Sequence, residues 1–88
     1  MNDASDIETR IRDDVLSNFV SMNPSEIPNN ASLVELGVID SMGVMEFVAL
    51  LESNFNIEIR DNETLPQNID TIDNLTAFVL RKLNSRSG

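Results

Sequence analysis

Val44-Met45-Glu46-Phe47-Val48-Ala49-Leu50-Leu51-Glu52-Ser53-Asn54-Phe55 carries its strongest apolar residues at spacings of one, three and four, with Val44, Phe47, Val48 and Leu51 on one stripe. That spacing follows the period of an α-helix, not the alternation of a strand, and predicts a helix with one buried side. Just upstream, Leu36-Gly37-Val38-Ile39-Asp40-Ser41-Met42-Gly43 is an apolar loop running into the helix. The helix is therefore expected from about Ser41 to Asn54, with Phe55 just past its end.

Outward from this segment the same period recurs on both sides. Ile7, Ile11, Val15 and Phe19 fall at every fourth residue, Leu16 and Val20 widen the stripe, and Glu8, Arg10, Arg12, Asp13 and Asp14 occupy the other faces. This predicts an amphipathic helix from about Ser5 to Ser21, ended near Asn23-Pro24 because proline disfavours helical geometry in the residue before it. Toward the C-terminus, Ile72, Leu75, Phe78, Val79 and Leu83 form one face of a last helix. Asp70 or Thr71 is positioned to cap its start, and Arg81 and Lys82 suit the negative end of its dipole.

The connections are irregular but not solvated linkers. From Pro24 to Asp40, Pro24, Pro28, Asn29 and Asn30 break regular structure, while Leu33, Leu36, Val38 and Ile39 are apolar enough to be expected against the core. Ile57-Glu58-Ile59 alternates like a strand, yet three residues without a partner cannot make a sheet, so an extended linker is expected, followed by a short helical turn near Asn62 to Gln67. Three amphipathic helices and one short one predict an all-α fold, a small four-helix bundle in a single domain over residues 1–88. Its ordered core is expected over about 5–83, with a frayed tail at 84–88.

Composition limits function before any motif is weighed. The 88 residues hold 15 acidic and 6 basic side chains, a net charge of −9, which disfavours nucleic acid or an anionic membrane as partner and favours a basic protein. A hydrophobic content of 41% is ordinary for a folded domain, so the acidity does not mean disorder. There is no cysteine for a disulfide framework, and the start of the chain lacks the basic and apolar regions of a signal peptide, so a cytoplasmic monomer is expected. The Asn-x-Ser/Thr matches at Asn30, Asn62 and Asn74 then carry no weight. Without histidine or cysteine the chain also lacks Ser-His and Cys-His nucleophile pairs and zinc sites built on such ligands. Asp13-Asp14 and Asp61-x-Glu63 miss the calcium-loop spacing and read as solvated faces. No catalytic residue is expected.

Ser41 has two readings. A serine ahead of an apolar helix is a common N-cap, satisfying one of the free N–H groups of the first turn. The same free N–H groups and the dipole would also stabilise a phosphodiester on a serine placed there. Gly37 suits a turn before the helix that needs positive φ or close backbone approach. Met42, Met45 and Ala49 follow at spacings of three and four on the face beside Ser41, where flexible thioethers suit contact with several partners; the other reading of such a stripe is core. Glu46 and Glu52 are expected exposed on the same helix.

In Gly37-Val38-Ile39-Asp40-Ser41-Met42, preceded by Leu33-x-x-Leu36 and followed by Glu46-Phe47-Val48, Leu51-Glu52 and Phe55-x-Ile57-x-Ile59, the sequence resembles the acyl and peptidyl carrier proteins with their Gly-x-x-Asp-Ser-Leu motif. The resemblance runs from Leu33 to Leu83 and more loosely over the first helix. It implies that Ser41 receives a 4′-phosphopantetheine arm from coenzyme A, with Asp40 as the flanking aspartate, and that a phosphopantetheinyl transferase docks on the second helix. It further implies that Met42, Met45, Glu46, Ala49 and Glu52 meet partners: the transferase, an acyl- or aminoacyl-loading ligase and biosynthetic enzymes with basic docking patches. Met42 stands where the motif has leucine, Gly43 where carriers of primary fatty acid synthesis have an acid, and Ser53 where a glutamate is expected. Asp-Ser-Met-Gly therefore looks more like discrete carriers of amino acids or specialised acyl groups, loaded in trans. The alternatives are a carrier of fatty acid or polyketide synthesis, and an unmodified acidic bundle in which Ser41 only caps a helix.

Overall fold

A computed structural model describes residues 3–20, 23–40 and 42–87, with side chains up to residue 85. Among these residues the chain is all-helical. The first helix, α1, spans Ala4–Arg10 and is capped by Asp3, whose carboxylate accepts the Asp6 N–H at 2.9 Å. It continues without a break through a π-helical turn, Ile11–Val15, and a 3₁₀ turn, Leu16–Asn18. The apolar spacing of four explains the wide turn. In an ordinary helix residues four apart drift by about 40° per step, so the stripe from Ile7 to Phe19 would wind by about 120°. A π turn, with more than four residues per turn, rotates it back. Ile7, Ile11, Val15 and Leu16 are accordingly all buried, and Phe19 and Val20 pack on the core edge.

The second helix, α2, spans Val44–Phe55, not Ser41 to Asn54. Phe47, Val48, Leu51 and Phe55 are buried as their spacing requires, with Val44 half-buried. Asn56, with φ of 54°, ends the helix in the left-handed conformation that asparagine tolerates better than most residues. A short α3, Pro66–Ile69, precedes α4, Ile72–Ser87, so the helix persists past Leu83 where a frayed tail was expected. Thr71 caps α4 by accepting the Asn74 N–H at 3.0 Å. Ile72, Leu75, Phe78, Val79 and Leu83 are all buried, as predicted from their period.

These faces close one core, with α1 against α4 and the π turn against α2. Phe19 meets Phe47 edge to face at 5.6 Å, joining the end of the first helix to α2. The radius of gyration, 12.0 Å, is that of a fully compacted chain of this length, about 12 Å.

Two basic residues off the apolar stripe of the first helix tie it to other parts of the fold. Arg12 donates to the carbonyls of Pro24 at 2.7 Å and Ile27 at 2.8 Å, to the Asn29 side chain, and to Glu8 at 3.3 Å. The guanidinium thus fixes the start of the α1–α2 connection. Arg10 donates to the Asn54 carbonyl, and its guanidinium lies 4.5 Å from the Phe55 ring centroid, capping the end of α2. In the second connection Ile57 and Ile59 are buried in an extended segment, followed by a 3₁₀ turn, Asp61–Glu63. Glu63 binds Lys82 at 2.8 and 2.9 Å and accepts the Arg60 N–H at 2.9 Å. The Lys82 ammonium first, and the Arg60 N–H second, hold the Glu63 carboxyl below the usual carboxylate range.

Candidate functional site

The segment from Ser32 to Val44 is built around Leu33. Its side chain is fully buried, its N–H donates to the Asp70 carbonyl at 2.7 Å, and its own carbonyl accepts Val38 N–H at 2.9 Å and Ile39 N–H at 3.3 Å. The Asp70 carboxylate accepts from the Ser32 hydroxyl at 2.6 Å and from the Val34 N–H at 3.1 Å. Of the two caps the sequence offers for α4, Thr71 makes the bond, while Asp70 ties the loop to the α3–α4 junction. Between these anchors Gly37 closes a turn on the Val34 carbonyl at 3.0 Å with φ of +76°. An added Cβ at Gly37 would meet nothing within 4 Å, so the glycine is there for its backbone conformation and not for space.

Val38 and Ile39 then turn into the core, and the exposed Asp40 follows. Asp40 caps the turn into α2: its carboxylate accepts the Gly43 N–H at 2.6 Å and its carbonyl accepts both Gly43 and Val44 N–H groups at 3.1 Å. This corrects the expected helix start. The capping oxygen among the described residues is that of Asp40, so the regular helix begins at Val44. Gly43 keeps that bond uncrowded, because a Cβ there would lie 3.2 Å from the Asp40 carboxylate. Ser41, the expected attachment residue, lies outside the described residues.

Beyond this turn the structure separates the predicted contact residues. Met42 is 88% and Met45 74% exposed, so neither belongs to the core, and Glu46 and Ala49 share the exposed face. Glu52 departs from expectation: it is half-buried, and its carboxylate accepts the Ile59 N–H at 2.8 Å, holding the second connection to α2. Leu36, expected in the core, is 51% exposed, and its neighbour Val34, which the sequence reading left unassigned, is 56% exposed. Both flank the same turn. No signal in their hydrophobicity separated them from Leu33 and Val38; only the glycine at position 37 hinted that the chain reverses there.

From Ser32 to Ile59 the sequence has acids at Glu35, Asp40, Glu46, Glu52 and Glu58 and no basic residue. With Glu35, Asp40 and Glu46 exposed and in no ion pair among the described residues, this face has large apolar side chains set among negative charges, which suits a partner with an apolar hollow rimmed by cations. Two hollows border the turn. One, about 340 Å³, is lined by Phe19, Val38, Asp40, Met42, Gly43 and Glu46. The other, about 380 Å³ and mostly apolar, lies among Val34, Ile39, Val44, Pro66 and Ile69. Among the described residues no cluster of carboxylates could hold a metal ion, and no helix is long and apolar enough to cross a membrane.

Among the described residues the arrangement presents an exposed apolar and acidic surface beside the turn. A covalent phosphopantetheine is compatible with this turn, where the flanking Asp40 stands in solvent. Comparison with known proteins agrees. Residues 13–79 match the family described as the phosphopantetheine attachment site. An acyl carrier protein of Wolinella succinogenes is 33% identical over 66 residues, covering 75% of this chain and 84% of its own length. An acyl carrier protein of Buchnera aphidicola is 29% identical over 75 residues, covering 80% of this chain and 94% of its own.

Proposed function

This chain belongs to the acyl carrier family, whose shared feature is a phosphopantetheine attachment site, and we propose that Ser41 bears the arm and that the chain presents its cargo to separate biosynthetic enzymes. It is a carrier and not an enzyme, and a covalent 4′-phosphopantetheine is its cofactor. When bound, the arm supplies a terminal thiol on which cargo is held as a thioester; the chain itself, having no cysteine, adds no competing thiol.

The observation that carries the assignment to Ser41 is the coincidence of two things at one turn. The family match spans Asp40-Ser41, and the residues on either side, Val34 to Leu36 and Met42 to Glu46, form the apolar and acidic exposed face. Met45, Glu46 and Ala49 on α2 and Met42 just ahead of it are the proposed docking residues, joined by Val34 and Leu36 on the loop. Glu52 contributes by holding the end of the helix.

The cargo is an acyl or aminoacyl group. The printed names of both relatives favour an acyl group. Gly43 and Ser53, which thin the expected row of acids, and the Asp-Ser-Met-Gly resemblance favour loading by an adenylating ligase over a malonyl transferase. Offering the arm-bearing protein in parallel to both enzyme classes separates these sources by thioester mass.

The test of attachment is direct. Incubation with coenzyme A and a broad-specificity phosphopantetheinyl transferase is expected to add one arm: the Ser41 oxygen forms the phosphodiester, adenosine bisphosphate leaves and the hydroxyl proton passes to the transferase. Ser41→Ala is expected to add none. A wild-type mass that never changes, or a Ser41→Ala protein that is still modified, would return the chain to the unmodified interaction bundle.

A further inference from the structure

We propose that Asp70 is a positioning residue for arm attachment: it holds the loop ahead of the attachment serine in the shape that the transferase recognises. The inference rests on the carrier reading above and goes beyond it, because Asp70 lies in neither the motif nor the docking face.

The observation is a continuous chain of hydrogen bonds that begins at one residue. Asp70 takes three donors from three consecutive loop residues: the Ser32 hydroxyl at 2.6 Å, the Leu33 N–H at 2.7 Å and the Val34 N–H at 3.1 Å. Leu33, so fixed, accepts the Val38 and Ile39 N–H groups on its carbonyl, and Val34 accepts the Gly37 N–H on its own. Asp40 follows directly and accepts the Gly43 and Val44 N–H groups. The path runs from the α3–α4 junction to the first residue of α2 and brackets the attachment position.

What this clamp opposes is the pull of the hydrophobic effect on the loop. Val34 and Leu36 are 56% and 51% exposed, and a loose loop would gain by folding such side chains against the core. The Ser32 and Val34 bonds to Asp70 fix the backbone on the side where Val34 leaves the loop, so its exposure is imposed by the backbone. A partner then meets a preformed surface and loses less to ordering on binding. Carboxylate bonds suit the task, being stronger than bonds between neutral groups.

The experiment measures arm attachment to full-length protein by steady-state kinetics, varying the carrier and using one transferase with coenzyme A, well below the melting temperature. Asp70→Ala keeps the backbone carbonyl and removes both carboxylate bonds. It is expected to raise KM for the carrier about tenfold with kcat within about twofold, as expected for lost preorganisation away from the reacting atoms. Asp70→Asn can still accept from Val34 and meet the Ser32 hydroxyl, and is expected to restore KM to within about threefold of wild type. Ser32→Ala, losing one bond, is expected to fall between, and keeps the test open should Asp70→Ala fold poorly. Glu63→Gln serves as a control that loosens the bundle away from the loop and leaves KM unchanged. Amide hydrogen exchange in Asp70→Ala is expected to speed at Val34, Gly37, Val38 and Ile39 and to stay slow in α1 and α4. Faster exchange with unchanged KM, or a KM that rises equally in Glu63→Gln, would make Asp70 merely structural. A wild-type protein that takes no arm would instead defeat the carrier reading itself, so the two failures are distinguishable.

Discussion

Between α1 and α2 the chain leaves Val34 and Leu36 in solvent and spends hydrogen bonds on fixing the backbone around them; between α2 and α3 it buries Ile57 and Ile59 and keeps its charges outside, pairing Glu63 with Lys82. Both connections are irregular, and both are anchored by a carboxylate taking a backbone N–H: Asp70 from Val34 in the first, Glu52 from Ile59 in the second. The difference lies in which way the apolar side chains face. Burial of Ile57 and Ile59 returns hydrophobic free energy to the fold, so the second connection closes the bundle. Exposure of Val34 and Leu36 forgoes that gain and leaves apolar surface that a partner could cover.

The sharpest way to break this comparison is to delete a core side chain from each connection. Leu33→Ala and Ile59→Ala each remove buried apolar volume, and each is expected to cost about 2–5 kcal/mol by urea denaturation. Their consequences for arm attachment are expected to differ. Leu33 organises the Val38 and Ile39 turn that leads to Asp40, so its loss is expected to lower kcat/KM with the transferase even where the protein is fully folded. Ile59→Ala is expected to leave it within about twofold, surface recognition being insensitive to a distant cavity. Equal losses from both substitutions would erase the functional distinction between the two connections.

A smaller effect is expected from the charges of the second connection. Glu63 is held below its ordinary value of 4.5 by Lys82 and the Arg60 N–H. A carboxyl whose folded-state pKa is depressed lends stability in full above its unfolded value, and that stability is lost as pH falls through the lower, folded value. The pair is at the surface, so Glu63→Gln is expected to cost less than about 1 kcal/mol at pH 7. The gap in melting temperature between wild type and variant is expected to close as pH is lowered from 6 to 3. A gap that widens in acid would mean that Glu63 is not the group holding this connection.

The sequence carried the helical faces well, because a period set by backbone geometry survives whatever the loops do: Phe47, Val48 and Leu51, and Ile72, Leu75, Phe78, Val79 and Leu83, are buried where their spacing puts them. It left Met42 and Met45 open between partner contact and core, since a methionine stripe suits either; both are exposed in the structure. It misplaced Leu36, because hydrophobicity alone cannot tell a core leucine from one held outward by a glycine turn. The bonds of Arg12 were not legible, because a helix period says which way a side chain leaves, and says nothing of a loop that folds back to meet five N–H donors. The start of α2 was misplaced by three residues, since an aspartate bonding to the N–H three residues on competes with a serine for the cap. Glu52 and Asp70 hold backbone groups distant in sequence, which no local pattern encodes.

The smallest effect on stability is expected where the comparison makes its strongest claim. If Val34 and Leu36 are presented to a partner, replacing both by serine removes apolar surface that the fold does not use, and the melting temperature is expected to move by no more than an ordinary surface change, within about 0.5 kcal/mol. Circular dichroism and hydrogen exchange at Val38 and Ile39 are expected to match wild type, because the bonds to Asp70 and Leu33 are made by backbone groups that the substitutions leave in place. Binding is expected to respond: KM for the carrier in arm attachment should rise several-fold, as for the loss of apolar contacts at an interface, with kcat held. The same pair of substitutions at Ile57 and Ile59 is expected to do the reverse, lowering stability by several kcal/mol and sparing recognition of whatever remains folded. A Val34→Ser, Leu36→Ser protein that docks as well as wild type would leave its exposed side chains without a use. The first connection would then differ from the second only in how it packs.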